Sequence, residues 1–205
     1  KGRGSEGTLE QKPSGPRHSP PDAINMIFRQ IYAMNPWTVC LLMLLAFAGW
    51  TVLCNCLRAK VRIAVNVILF CVSAAIILHA TLLSRTPGTY AAVLTPFAAL
   101  AAARQQPELY REMLMNVFLF FPLGLTMSNP LPRKWHRWLR IALTALTSCV
   151  LSAGIEYAQY RFALGMAETD DVICNTLGAF VGASSLLLAH AMEKHKERPT
   201  TMTLT

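Results

Sequence analysis

Charge is scarce in this sequence, and negative charge is scarcer still: 15% of the 205 residues are charged, with 11 acids set against 19 lysines and arginines. A soluble domain of this length cannot spare so much of its surface, because 53% of the residues are hydrophobic and a single aqueous core would not hide them. No P-loop or zinc-ligand pattern occurs, so no metal and no cofactor is expected. Cysteine is present six times (Cys40, Cys54, Cys56, Cys71, Cys149, Cys174), yet never as CxxC, and all six lie in or at the ends of apolar blocks. Thiols placed so act as small packing residues, and no disulfide framework is expected.

The formal net charge of +8 invites a nucleic-acid reading. The distribution argues against it. The basic residues occupy tails and short loops, where they set membrane topology and meet anionic head groups, so no nucleic-acid partner is expected.

The apolar residues come in uncharged blocks of about 15 to 21 residues, the length that crosses a hydrocarbon core at about 1.5 Å per residue. The expected fold is therefore all-α: a polytopic integral membrane helical bundle of about five transmembrane helices. The spans run roughly from Thr38 to Leu57, Ile63 to Leu83, Met113 to Met127, Leu139 to Gln159 and Val172 to Met192. Residues 1–35 form an N-terminal tail, disordered to about Asp22 and then interfacial, with Ile24, Ile27, Phe28 and Ile31 on one side of a short surface helix. The chain does not begin with Met, and Met26 or Met34 is an alternative start. Residues 36–62 add a first span and a basic turn, 63–192 form the main membrane domain, and 193–205 a basic tail.

Tyr90 to Ala103 is apolar but too short to cross, and Pro96 interrupts it, so it reads as an interfacial or re-entrant segment. Counting positive residues over short loops puts the 58–62 turn, the 133–140 loop and the C-terminal tail in the cytoplasm, and the 84–112 and 161–171 segments outside with the N-terminus. Lys12, Arg17, Arg29, Arg85, Arg104 and Arg111 run against this orientation.

Within the last three spans, polar residues gather toward the outer ends. Glu112 and Asn116 are four apart and share a helix face, and Glu156 and Gln159 share another. Asp171, Asn175, Gly178 and Gly182 draw one stripe down the fifth span, and the glycines form a GxxxG pattern that admits a neighbouring backbone. Arg111 and Arg161 lie at the same level and suit an anionic ligand or an acid partner. Each residue also has a structural reading. Asp170 and Asp171 can cap the fifth helix, Asn116 can be an interhelical hydrogen bond, and Pro122 and Gly124 shape their helix. Glu156 is the hardest to explain as structure alone, since a carboxylate ending an apolar run is costly unless paired or wet.

The runs NVFLFFPLG (Asn116 to Gly124), SAGIEYAQ (Ser152 to Gln159) with Arg161 two positions on, and TDDVICNTLGAFVG (Thr169 to Gly182) resemble the VanZ-like family in type, order and spacing. The Ser84-Arg85 step and Thr95-Pro96-Phe97 look like its earlier motifs, so the likeness spans about residues 63 to 192. The resemblance implies a multi-pass protein of the bacterial cytoplasmic (inner) membrane, linked to resistance to teicoplanin-type glycopeptides. The positions that match are Arg111, Asn116, Pro122, Gly124, Glu156, Gln159, Arg161, Asp170, Asp171, Asn175 and Gly178.

Three functions fit these residues. In the first, an outer-leaflet site binds or acts on a cell-envelope lipid or lipid-linked cell-wall precursor. Glu156 and Asp171 are then the catalytic candidates, with Arg111, Asn116, Gln159, Arg161, Asp170 and Asn175 binding ligand and Pro122, Gly124, Gly178 and Gly182 packing helices. In the second, the acids line the path of a small transporter; in the third, they lock helices in a structural or partner-binding protein. The sequence does not specify oligomeric state, or whether the protein is an enzyme.

Overall fold

The computed structural model describes residues 23–88, 90–132 and 134–196. The tail read as disordered, the first residue of the 133–140 loop and residues 197–205 of the basic C-terminal tail lie outside these. A short amphipathic helix, α1 (Ala23–Ala33), precedes α2 (Pro36–Cys56). Asn35 starts α2 by accepting the Trp37 N–H at 2.9 Å, and Pro36 supplies the preset first turn. A two-residue turn leads into α3 (Ala59–Leu78), which continues as a single π turn, His79–Leu83, closed by the Ser84 N–H on the His79 carbonyl at 2.9 Å.

The connection to the next long helix is built rather than open. It contains a short strand β1 (Ala91–Val93), a left-handed Phe97 and the five-residue α4 (Ala98–Ala102). Then come α5 (Pro107–Met127), α6 (Arg137–Arg161), a second strand β2 (Met166–Glu168), α7 (Thr169–Ala183) and α8 (Ser185–Lys196). The strands pair in parallel, Ala91 with Met166 and Val93 with Glu168. This pairing joins the loops after α3 and after α6 at one end of the bundle.

The protein is an all-α membrane helical bundle. Among the described residues, four stretches are long and apolar enough to cross a membrane: Pro36–Cys54, Ala59–Leu83, Arg137–Arg161 and Thr169–Met192. Only 17% of the apolar stretch of α2, and the same share of α3, is buried inside the protein. Helices so apolar and so little covered need lipid around them, and Leu44, Ile68 and Val150 are each more than 60% exposed. The third span of the sequence reading is α5, as long as α2 at 21 residues but diluted by Arg111, Glu112 and Asn116. Those polar residues are tolerated because α5 is the central helix, packed chiefly on α7 and also on α3 and α2.

Ile77, Phe120, Leu123, Ile155 and Ala179 form the main core, all at most 2% exposed. Glycine sets how closely α5 and α7 meet. A Cβ built at Gly124 would overlap the Ala179 carbonyl, one at Gly178 the Val117 carbonyl, and one at Gly182 the Phe121 carbonyl. Lipid tails give apolar side chains no reason to prefer one another, so close backbone contact and hydrogen bonds carry the association. The last span of the sequence reading divides at Ser184, whose hydroxyl bonds the Phe180 carbonyl at 2.8 Å. All six cysteines are free thiols, with Cys54 and Cys174 buried.

Candidate functional site

The GxxxG face fixes α7 against α5, and that contact delivers Asp171 to its partner. The Asn116 amide donates to Asp171 Oδ1 at 2.6 Å, joining the two helices about two turns above the glycines. One helix away, Glu156 Oε2 accepts the Glu168 N–H at 3.0 Å, so the end of β2 is pinned to α6. Glu168 therefore stands between the two carboxylates named from the sequence.

Asp170 is 4% exposed and does something the sequence did not suggest. Its two oxygens accept the Phe97 N–H at 2.5 Å and the Ala99 N–H at 2.7 Å. It caps α4, from across the bundle, rather than the helix it begins. Gln159, 2% exposed, donates to the Thr81 carbonyl at 3.0 Å and so secures the π turn. Asn175 donates to Ser152 Oγ at 2.9 Å between α7 and α6. Asp170, Gln159 and Asn175 are thus engaged in holding the end of the bundle together.

Two cavities flank Glu168. One, of about 310 Å³, is polar and is lined by Arg85, Glu112, Asn116, Glu168 and Asp171, with Leu109, Met113 and Met166 among its apolar contacts. The other, of about 450 Å³, is almost wholly apolar and is lined by Leu94, Tyr157, Tyr160 and Val172, with Glu156 and Glu168 at its wall. Arg161 is exposed, and neither it nor Arg111 lines either cavity. The cation of the site is Arg85, whose charge acts on both Glu156 and Asp171. Sequence reasoning named Arg85 in a motif and among the charges that run against the orientation but not in the site, because in a loop no helical period ties a residue to its neighbours. Gly165, at φ 155°, lets that guanidinium pass: a Cβ there would lie 2.5 Å from Arg85 Nη1.

The polar cavity is rich in acid. Among the described lining residues Glu112, Glu168 and Asp171 face one arginine, and burial followed by the nearby charges of Glu112 and Asp170 raises the Glu168 pKa above the ordinary carboxylate value. Such a wall repels a free anion and suits hydroxyls or an amine, which can donate to several carboxylate oxygens at once. Among the described residues, no cluster of His, Cys, Asp and Glu has the arrangement of a metal site.

The family model described as VanZ/LLP1 matches residues 63–190, the stretch from α3 to α8 that builds both cavities. The chain belongs to the VanZ/LLP1 family. A curated relative, Protein VanZ of Enterococcus faecium, is 37% identical over 89 residues, covering 43% of this chain and 48% of that protein. The chain thus spans about half the length of the curated relative it matches. No solved structure matches it.

Proposed function

We propose that this VanZ/LLP1 protein is a multi-pass protein of the bacterial cytoplasmic membrane that binds, and presents for acid-base chemistry, a cell-envelope lipid or lipid-linked precursor. The observation that carries the reading is the pair of cavities sharing Glu168 as a wall. An amphipathic ligand can lay its chain in the apolar groove beside Tyr157 and Tyr160 and its polar head among Arg85, Glu112, Asn116 and Asp171. The positive-inside count puts this end at the outer leaflet, where cell-wall precursors are used. Glu156 and Asp171 supply the proton-transfer groups, and Asn116 orients Asp171 through its 2.6 Å bond. The family's tie to glycopeptide resistance enters here as part of the proposal, since a change in envelope precursors is a direct route to it.

The test compares envelope lipids, lipid-linked precursors and teicoplanin susceptibility between wild type and the Glu156→Gln, Glu168→Gln and Asp171→Asn variants. Each variant is expected to reach the membrane at normal level and to shift the precursor profile. Variants that accumulate normally and match wild type in every profile would refute the reading.

A further inference from the structure

At the opposite end of the bundle lies a cavity of about 400 Å³ that plays no part in the site described above. Arg62, His136, Arg137, Arg140 and His190 line it, brought together from α3, the turn before α6, α6 itself and α8, and no acid is among the described residues that do so. Two of the arginines are deeply placed: Arg62 is 9% and Arg140 7% exposed. Main-chain carbonyls fix their geometry. Arg140 Nη2 donates to Ser128 at 2.7 Å and Asn129 at 3.2 Å, and Arg62 Nη1 donates to Cys54 at 3.4 Å.

Carbonyls orient a guanidinium but bring no negative charge. The chain has little of its own to bring, since residues 23–107, 113–155 and 172–192 contain no Asp or Glu. Glu193, one turn past His190, is the nearest acid in sequence to a lining residue. The N-terminus of α6 adds to the same sign. The first turn of α6 has no side-chain cap and no acid, and its Arg137 belongs to the cavity wall.

Depth in the membrane follows from the aromatics. Trp135 lines the cavity at 37% exposed, and Trp138 beside it is 54% exposed. Tryptophan rings so placed mark the head-group level of a bilayer. Leu186 and Ala189 give the cavity an apolar wall.

We infer that this basic cavity binds a phosphoryl group, held in the fork of Arg137 and Arg140 with Arg62 behind it. Planar guanidinium pairs match two phosphate oxygens at once, and an interfacial cavity with one apolar wall admits the head of an anionic phospholipid as readily as free phosphate. The inference is independent of the proposed lipid site, which is acid-lined and lies at the other end of the bundle.

The full chain, purified in a nonionic detergent, is titrated with dioctanoyl phosphatidylglycerol and separately with inorganic phosphate, reading tryptophan fluorescence and the thermal midpoint. Saturable binding is expected, weakened about tenfold in Arg137→Gln, since one lost charge-assisted contact is worth about 1.5 kcal/mol or more. Phosphatidylglycerol binding that millimolar phosphate does not displace assigns the lipid as the source; displacement assigns free phosphate. Arg137→Gln leaves the carbonyl bonds of Arg140 in place, so it tests the site even if Arg140→Gln fails to fold. No saturable response to either probe, or equal titrations of wild type, Arg137→Gln and Arg62→Gln, would overturn the inference.

Discussion

Adding one methyl group at Gly178 tests the idea that backbone contact between α5 and α7 sets the site. In Gly178→Ala the new Cβ meets the Val117 carbonyl, its carbon and its Cα, all main chain of a helix that cannot rotate aside. Overpacking costs about 1–3 kcal/mol, and contact with backbone on a rigid helix places this case at the upper end. Replacing a mid-helix glycine by alanine returns about 0.8–1 kcal/mol of propensity, so the net loss is about 2 kcal/mol. Gly154 supplies the control, because a Cβ there meets nothing within 4 Å and the same propensity gain is uncompensated. Gly154→Ala should therefore be stabilising by several tenths of a kcal/mol while Gly178→Ala is destabilising. Reversible unfolding in mixed micelles by SDS titration measures both. Equal stabilities for the two variants would refute the reasoning. The structural consequence reaches the site as well, since parting the helices stretches the Asn116–Asp171 bond about two turns away.

Asp170→Ala should free the segment around α4 by removing the acceptor of two N–H groups, and faster hydrogen exchange at Phe97 and Ala99 without global unfolding would report it. The raised Glu168 pKa means that the folded protein holds this proton above the ordinary value of 4.5. Stability should fall as pH rises from there through the folded-state pKa; Glu168→Gln should flatten that slope in a pH series of unfolding titrations and leave the low-pH value unchanged. A double-mutant cycle of Asn116→Ala and Asp171→Ala should show a coupling of about 0.5–2 kcal/mol in micelle unfolding, with additivity counting against the bond.

Features that repeat along a helix were legible in the sequence, and features that join distant segments were not. The stripe Asp171, Asn175, Gly178 and Gly182 follows the helical period, so a shared face could be read directly, and α5 and α6 are the neighbours it meets. The partner of Asp170 lies 71 to 73 residues away in a loop, and three-residue strands are too short to alternate visibly. Both the built loop over the site and the place of Arg85 depend on those two contacts. A second feature escaped because hydropathy averages it away. Arg140, Thr144, Ser148, Ser152 and Glu156 recur every four residues on α6, and all are buried. Small hydroxyls barely lower the mean of an apolar run, so the sequence reading took from this span only Glu156 and Gln159 near its outer end, where it carries a continuous polar face.

That face explains why α7 can sit between two helices. Toward α5 it presents Gly178 and Gly182, toward α6 it offers Asn175 to Ser152, and Ala179 and Ala183 are wholly buried. Small residues let backbones approach but bury little surface, so the hydrogen bonds at their upper ends bear a large share of the specificity. Asn116 to Asp171 and Asn175 to Ser152 are those bonds, and the first is part of the polar cavity's wall. The contacts that assemble the helices are thus the contacts that shape the site, and truncating them confounds chemistry with folding. Asp171→Asn escapes the confusion. It keeps an oxygen to accept from Asn116 while removing the charge and the titratable proton, so a variant that folds with wild-type stability and loses function separates the role of the carboxylate from that of the helix contact.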